Sequence, residues 1–180
     1  LILCSSLLAH ITAPYMSAYC TAKWGLRGLT RTLRQELRDA PDIHLCTLTP
    51  GSVDTPIYTS AANYAGAVGR PPPPVDTPQR MADAIVGLAD KPRAEVSVGM
   101  ANRFAELGFT VLPPVYDLLV GPMMRWLGLS DDRIAPHTGN VFAPAPRTEG
   151  GPARWGRTPV GLLAGVTALA AGAALRRIRR

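Results

Sequence analysis

The sequence predicts an α/β fold built on a parallel sheet. Residues 1–5 form an apolar run that ends in serines, residues 17–38 carry leucines at helical spacing, and residues 43–48 form a second short apolar run. A strand, a helix and a strand in this order imply a right-handed crossover between parallel strands. Any ligand is then expected beyond the carboxyl ends of the strands, where Ser6 and the segment after Pro50 lie.

The helix predicted over residues 17–38 is amphipathic, and "APD" at residues 40–42 ends it. Its apolar stripe needs a partner surface, because apolar side chains left in water cost free energy. The helical pattern by itself does not say which surface that is. The stripe consists of Leu26, Leu29, Leu33 and Leu37.

The segment after the second strand begins with a sharp turn at Pro50-Gly51. Residues 56–75 are rich in Ala, Gly and Pro, which predicts a mobile flap followed by a stiff spacer, although a plain disordered loop has a similar composition. A new helix is predicted from Thr77 as N-cap, with Pro78 at its first position.

Three regions follow from the change in composition along the chain. Residues 1–100 form the predicted α/β unit, with residues 94–99 as its last strand. Residues 101–157 predict short apolar helices broken by prolines, then an irregular arm from residue 130. Residues 158–180 predict an apolar helix with a basic end, which spans a membrane, lies on its surface or docks on the body of the protein.

The charge excludes one class of partner. The net charge of +6 comes from the tail, where the excess basic residues flank an uncharged stretch and do not alternate with aromatic residues. A nucleic-acid partner is therefore not expected. The residues in excess are Arg154, Arg157, Arg176, Arg177, Arg179 and Arg180.

The cysteines and histidines show no metal-ligand spacing, so no metal site is expected. We expect the three cysteines to be free thiols buried in strand or helix interiors, in a reducing, cytoplasmic compartment. The residues concerned are Cys4, Cys20, Cys46, His10, His44 and His137.

Tyr19 and Lys23 lie one helical turn apart on the same face of the predicted helix. An ammonium at this spacing favours the phenolate form of a tyrosine, which then exchanges protons near neutral pH. The spacing alone is a weak pattern, because many solvated helix faces carry such a pair. Ser6 at the end of one strand and Pro50-Gly51 after the next add polar groups at the same sheet edge.

With these residues in place, the sequence resembles the short-chain dehydrogenases/reductases. "LILCSSLLAHITAPYMSAYCTAKWGLRGLTRTLRQEL" resembles that family's run from the serine strand through the Tyr-x-x-x-Lys helix, and "IHLCTLTPGSVDTP" resembles its Pro-Gly cofactor loop. The resemblance covers residues 1–100. It implies the C-terminal part of a Rossmann-like, doubly wound parallel sheet and a cofactor that is NAD or NADP.

The resemblance also implies catalytic roles. Tyr19 would exchange a proton with the substrate oxygen, Lys23 would favour the Tyr19 anion and bond the nicotinamide ribose, and Ser6 would hold the substrate oxygen. Ser5 is a rival for the last role, although the family's usual serine-to-tyrosine separation favours Ser6. A simpler alternative is that the Ser6 hydroxyl only bonds local backbone.

For the cofactor, the resemblance assigns contacts with Tyr19 and Lys23 and with the turn at Pro50 and Gly51. Backbone groups of Val53 and the hydroxyl of Thr55 would complete the contacts, unless Thr55 only caps the next helix. The family's glycine-rich phosphate loop, its NAD-or-NADP selecting residue and its relay asparagine are expected upstream of Leu1. The chain as given is therefore expected to bind a dinucleotide poorly and to be inactive alone.

The expected function is that of an NAD(P)-dependent oxidoreductase that moves hydride between nicotinamide and a carbonyl or alcohol carbon. Membrane association through residues 158–180 would favour an apolar small-molecule substrate, such as a fatty or isoprenoid derivative. In the family, the tyrosine helix commonly packs across a two-fold interface, so a homodimer through this helix is weighed evenly against burial on its own sheet. The alternative function is a non-catalytic, membrane-associated binding or scaffold protein that retains the fold.

Overall fold

The computed structural model describes residues 1–99 and 101–144. The apolar tail predicted over residues 158–180 and the end of the predicted arm lie outside the described residues. The helices and strands follow in the order β1 (Ile2–Cys4), α1 (Ser17–Glu36), β2 (Cys46–Pro50), β3 (Ser52–Val53), α2 (Ile57–Ser60), β4 (Ala67–Gly69), β5 (Val75–Asp76), α3 (Pro78–Asp90), β6 (Glu95–Val98), α4 (Asn102–Val111), α5 (Pro113–Gly128) and β7 (Leu129–Arg133).

The central sheet has three parallel strands in the order β1-β2-β6. Ile2 lies opposite Cys46, and Thr47 lies opposite Glu95. The predicted parallel pairing is confirmed, and helices between parallel strands are the arrangement of a Rossmann-like α/β fold. The carboxyl ends of β1, β2 and β6 meet at one edge.

Strand β2 is buried along its whole length because helices cover both of its faces. On one face, Cys46 and Leu48 pack with Met81 and Leu88 of α3 in the hydrophobic core. Side chains alternate along a strand, so Thr47 points the other way. There Arg34 of α1 donates a 2.6 Å hydrogen bond to the Thr47 hydroxyl.

Strand β2 begins later than the sequence predicts. Residues 43–48 were expected to form it, but Ile43 is 53% exposed and its amide donates to the Ala40 carbonyl in a turn. The strand instead continues to Pro50, which lies opposite Val98 of β6. Pairing with β6, rather than the position of the apolar run, sets the bounds.

Helix α1 ends at Glu36, and a 3₁₀ turn, Leu37–Asp39, follows it, close to the predicted end at residue 38. Its leucine stripe is only partly covered by the described residues, because Leu29 is 52% exposed and Leu26 is half-buried. Helix α3 begins as predicted, since the Thr77 hydroxyl accepts from the Arg80 amide and Pro78 is the first helical residue.

One cysteine prediction is wrong: Cys4 is exposed, whereas Cys20 and Cys46 are buried free thiols. Strand β1 pairs on one side only within the described sheet, so its side chains are less covered than those of β2.

The predicted irregular arm begins instead with a strand. β7 pairs antiparallel with β4 of the predicted flap, with Ala67 opposite Arg133. Arg70, just after β4, donates a 3.0 Å hydrogen bond to the carbonyl of Leu127 in α5. Local composition could not predict this pairing, because the two strands are far apart in the sequence.

The predicted broken helices are α4 and α5, which contact each other. Pro113 begins α5, as a proline at the first helical position can, but Pro122 lies inside α5 and does not end it. Within residues 1–99 and 101–144, none of the helices is long and apolar enough to cross a bilayer.

Candidate active site

The side chains of Tyr19 and Lys23 meet on the first turns of α1. The Lys23 Nζ atom lies 5.6 Å from the centroid of the Tyr19 ring. The same ammonium donates a 3.0 Å hydrogen bond to the carbonyl of Cys4, at the end of β1. Tyr19 remains 41% exposed, so its hydroxyl is accessible to a ligand. The bond between Lys23 and Cys4 anchors the face of α1 that carries Tyr19 and Lys23 to the carboxyl edge of the sheet.

Ser5 and Ser6 follow β1 directly and are both buried. The Ser6 Oγ atom accepts a 3.2 Å hydrogen bond from the Leu8 amide and caps a 3₁₀ turn, Leu7–Ala9, so the local-backbone alternative is part of its role. A hydroxyl that accepts one bond still has its own proton to donate. Ser5 Oγ has no hydrogen-bond partner within the described residues, so Ser5 remains a rival for holding the substrate oxygen.

The turn at Pro50 and Gly51 lies at the carboxyl end of β2. The Gly51 amide donates a 2.9 Å hydrogen bond to the carbonyl of Val98, which ties the turn to the end of β6. Directly after the turn, β3 places Val53 opposite Asp76 of β5. The predicted cofactor residues of the turn therefore begin at the same sheet edge as Ser6.

Thr55 lies between β3 and α2 and is half-buried. The N-cap of α2 is Pro56, and no side chain caps this helix, so Thr55 does not have the capping role considered as its alternative. Its contact with a cofactor stays a prediction.

Tyr58 of α2 is a second phenol near Tyr19; the sequence placed it in the flap as part of an apolar lid over the substrate, but did not indicate its proximity to Tyr19. Burial raises the pKa of Tyr58 from 10.0 to about 12; the nearby Tyr19 and Asp54 add to this rise, and a hydrogen bond with the Ser52 side chain opposes it. Tyr58 therefore stays protonated and neutral at physiological pH. The sequence signal for Tyr58 was its place among the aromatic and small residues of the flap, close after the Pro50-Gly51 turn.

Helices α4 and α5 support the loop that leads into α1. Tyr116 donates a 2.7 Å hydrogen bond to the Thr12 carbonyl, and its ring meets Phe109 edge-on at 5.1 Å. Phe109 lies 6.2 Å from the Trp24 ring, whose indole nitrogen donates to the Ile11 carbonyl. Trp24 therefore packs between α4 and the loop that precedes α1.

Tyr15 lies in the same loop, four residues before Tyr19. Its φ of 70° is in the left-handed region, which a bulky residue rarely adopts. Its hydroxyl accepts a 2.8 Å hydrogen bond from Arg125 Nε of α5. The hydrogen bond from α5 thus holds the strained backbone of Tyr15, just before the helix that carries Tyr19.

His10 has a partner that sequence spacing could not indicate. Its Nε2 atom lies 2.7 Å from the Glu95 carboxylate, although the two groups are not aligned as a hydrogen bond. The same carboxylate oxygen accepts a 3.2 Å hydrogen bond from Thr49. These contacts lie among β2, β6 and the loop after β1.

The donor set at the sheet edge suits the ribose of a nicotinamide dinucleotide. An ammonium carries three N–H groups, and Lys23 gives one of them to the Cys4 carbonyl, so two can bond ribose hydroxyls. The exposed Tyr19 hydroxyl is on the same face, and Gly51 presents backbone without a side chain. Lys23, Tyr19 and the Pro50-Gly51 turn are the residues that would hold the cofactor.

Comparisons with known proteins agree with this arrangement. The family described as short chain dehydrogenase matches residues 1–64, which include β1, the whole of α1, β2 and the Pro50-Gly51 turn. The uncharacterized oxidoreductase YxnA of Bacillus subtilis (strain 168) is 29% identical over 114 residues, which are 60% of this chain and 31% of YxnA. The chain thus spans about a third of the length of this relative. Residues 1–64, which carry the serine, the tyrosine and the lysine, are therefore similar to the short-chain dehydrogenase family, and the match supports the resemblance seen in the sequence.

Proposed function

We propose that the full-length protein is an NAD(P)-dependent oxidoreductase that interconverts a carbonyl compound and its alcohol. The observation that carries the proposal is the contact of one ammonium, Lys23, with both the Tyr19 ring and the end of the serine strand. The family match and the oxidoreductase name of YxnA support it.

In the direction of reduction, the bound dinucleotide supplies a hydride to the carbonyl carbon. Tyr19 donates its phenolic proton to the carbonyl oxygen, so that the C=O π bond is replaced by one C–H and one O–H bond. Lys23 stabilises the phenolate left on Tyr19 by its positive charge. Ser6 orients the substrate by donating its hydroxyl proton to the same oxygen. Oxidation of the alcohol reverses each transfer, with the Tyr19 phenolate as base.

We further propose an apolar substrate. The helix after the cofactor turn carries the neutral Tyr58 phenol beside Tyr19, and Ile57 of the same helix is 50% exposed. Tyr64, farther along the flap, is 69% exposed. Aromatic and aliphatic side chains in this segment favour contact with a hydrocarbon rather than with a charged substrate.

Membrane association would agree with such a substrate and is proposed on the sequence of residues 158–180 alone. The proposed compartment is the cytoplasm, because three unpaired thiols are typical of a reducing environment. Cell fractionation of the full-length protein with and without residues 158–180 tests this step. Recovery of both forms in the soluble fraction would contradict membrane association.

The direct test of the activity is a screen of fatty and isoprenoid aldehydes, ketones and alcohols with both NAD(H) and NADP(H). With a substrate that turns over, Tyr19→Phe should reduce kcat by about 10²–10⁴-fold, because the proton donor is lost, while cofactor affinity is nearly unchanged. Thr32→Val is the control, because Thr32 is an exposed residue of the same helix, away from Tyr19 and Lys23 in the sequence. Full turnover by Tyr19→Phe would contradict the proposed role.

The alternative, a binding or scaffold protein that retains the fold, makes the opposite prediction. Such a protein would show no turnover with either cofactor, and Tyr19→Phe would leave its cellular role unchanged. The oxidoreductase hypothesis is favoured because Tyr19, Lys23 and Ser6 all lie at the edge of one sheet.

A further inference from the structure

Asn102 is the first residue of α4 and follows the last strand of the central sheet closely in the chain. Its side chain is 2% exposed, and a buried amide of this kind requires hydrogen-bond partners. The amide nitrogen lies 3.0 Å from both the Val98 carbonyl and the Ser97 hydroxyl, and 3.4 Å from the Thr49 carbonyl. An amide nitrogen carries two hydrogens, so the two short contacts are the strong bonds. These two bonds hold the side chain on the end of β6, and the 3.4 Å contact with Thr49 extends it to β2.

The amide oxygen of Asn102 occupies the space beside two glycines. A Cβ atom added at Gly51 would lie 2.5 Å from Oδ1, and one added at Gly99 would lie 2.8 Å from it. Both distances are shorter than real Cβ contacts. A side chain at Gly51 would thus displace Asn102, and its absence makes room for the amide.

The same turn is tied to β6 at a shared point. The Val98 carbonyl accepts the Asn102 amide and also the 2.9 Å bond from the Gly51 backbone amide. Displacement of the Asn102 side chain would remove one of these bonds and open space next to Gly51. Without the Asn102 side chain, the Pro50-Gly51 turn would keep the Gly51–Val98 bond but lose the packing against the amide oxygen.

We propose that Asn102 is a positioning residue that sets the Pro50-Gly51 turn for contact with the nicotinamide half of the dinucleotide. The inference rests on the proposed function, because it requires that this turn meets the nicotinamide. Because Asn102 is buried, it would act through the turn and not by contact with cofactor or substrate. Loss of the Asn102 side chain is expected to weaken binding of the nicotinamide half and to leave binding of the adenosine half unchanged.

This separation gives a test that a purely structural role would not pass. Isothermal titration of the full-length protein would compare NADH or NADPH, whichever the wild type binds more tightly, with ADP-ribose or its 2′-phosphate, which lacks nicotinamide. Asn102→Ala should bind the dinucleotide about tenfold more weakly, as expected when buried partners lose a hydrogen bond, and ADP-ribose within about twofold of the wild type. Asn140→Ala, an exposed asparagine, is the control and should change neither.

The inference would be overturned if Asn102→Ala weakened the binding of the dinucleotide and of ADP-ribose equally, or weakened the binding of neither. If Asn102→Ala does not fold, Asn102→Ser, which keeps a small hydrogen-bonding group, is measured in its place with the same direction expected. Failure of both variants to fold would assign Asn102 a structural role only. A wild type that binds the dinucleotide no more tightly than ADP-ribose would refute the proposed nicotinamide contact itself, and the inference with it.

Discussion

Lys23 donates a 3.0 Å hydrogen bond to the backbone carbonyl of Cys4, and this contact connects the helix that carries Tyr19 with the strand that ends in Ser5 and Ser6. Cys4 ends β1 and Lys23 lies in α1, and a loop connects the two elements. The bond therefore holds a positive charge next to the Tyr19 ring at the carboxyl edge of the sheet, where the family resemblance requires it.

Replacing Lys23 should affect both binding and proton transfer. Lys23→Met removes the bond to Cys4 and the N–H donors proposed for the nicotinamide ribose, so cofactor affinity should fall; it also removes the positive charge beside the Tyr19 ring, so kcat should fall as well. Cofactor titrations and steady-state kinetics measure the two effects. Lys91→Met is the control, because Lys91 lies exposed just after α3. Unchanged cofactor affinity and kcat in Lys23→Met would contradict the role.

A methyl group added at Gly51 should lower the stability of the protein, because Asn102 already occupies the space beside it. Gly51→Ala places Cβ 2.5 Å from the Asn102 oxygen, and overpacking of this kind costs about 1–3 kcal/mol of unfolding free energy. Gly28→Ala is the matched control, since a Cβ there meets nothing within 4 Å, and alanine in a helix interior stabilises by about 0.5–1 kcal/mol. Denaturant unfolding should therefore shift in opposite directions for the two variants. A neutral Gly51→Ala would show that Asn102 moves aside easily.

Tyr116 should make stability sensitive to alkaline pH. Burial, followed by the nearby Cys20 and Asp117, raises the pKa of Tyr116 from 10.0 to about 12. The folded state then holds this proton more tightly than the unfolded state, so its contribution is complete below pH 10 and is lost between pH 10 and 12. Tyr116→Phe should lose about 0.5–1.5 kcal/mol at pH 8 with the bond to Thr12, but its Tm should fall less steeply above pH 10.

Thermal unfolding at half-unit intervals from pH 8 to 11 measures this difference. Tyr58→Phe should also flatten the alkaline fall, because burial raises its pKa in the same direction. Tyr64→Phe should follow the wild-type curve, since Tyr64 is 69% exposed. Parallel curves for Tyr116→Phe and the wild type would contradict the assignment.

A homodimer through α1, which the family resemblance implies as one of two alternatives, predicts a role for Leu29. This side chain is 52% exposed on the helix that carries Tyr19, and burial of a leucine at an interface stabilises association by about 1.5–3 kcal/mol. Leu29→Glu should therefore convert dimer to monomer in light scattering of the full-length protein. Gln35→Glu, an exposed change of charge on the same helix, should leave the mass unchanged. A monomeric wild type would reject the dimer.

The sequence by itself determined the features that depend on near neighbours along the chain. The pairing of Tyr19 with Lys23 follows from helical spacing, and the start of α3 follows from Thr77 and Pro78. The parallel sheet also follows from local patterns, because the order of strand, helix and strand restricts the topology. These predictions needed only the period of a helix, the chemistry of a cap and the handedness of a crossover.

Only the tertiary structure decided contacts between residues that are far apart in the sequence. The bonds of Asn102 around Gly51, the approach of Tyr58 to Tyr19 and the pairing of β4 with β7 leave no periodic signal in either partner. Each depends on how strands and helices are placed relative to one another, which hydrophobic burial and sheet register determine over the whole domain. The candidate proton donor was therefore predictable from the sequence, whereas the residues that position it and shape the adjacent turn were not.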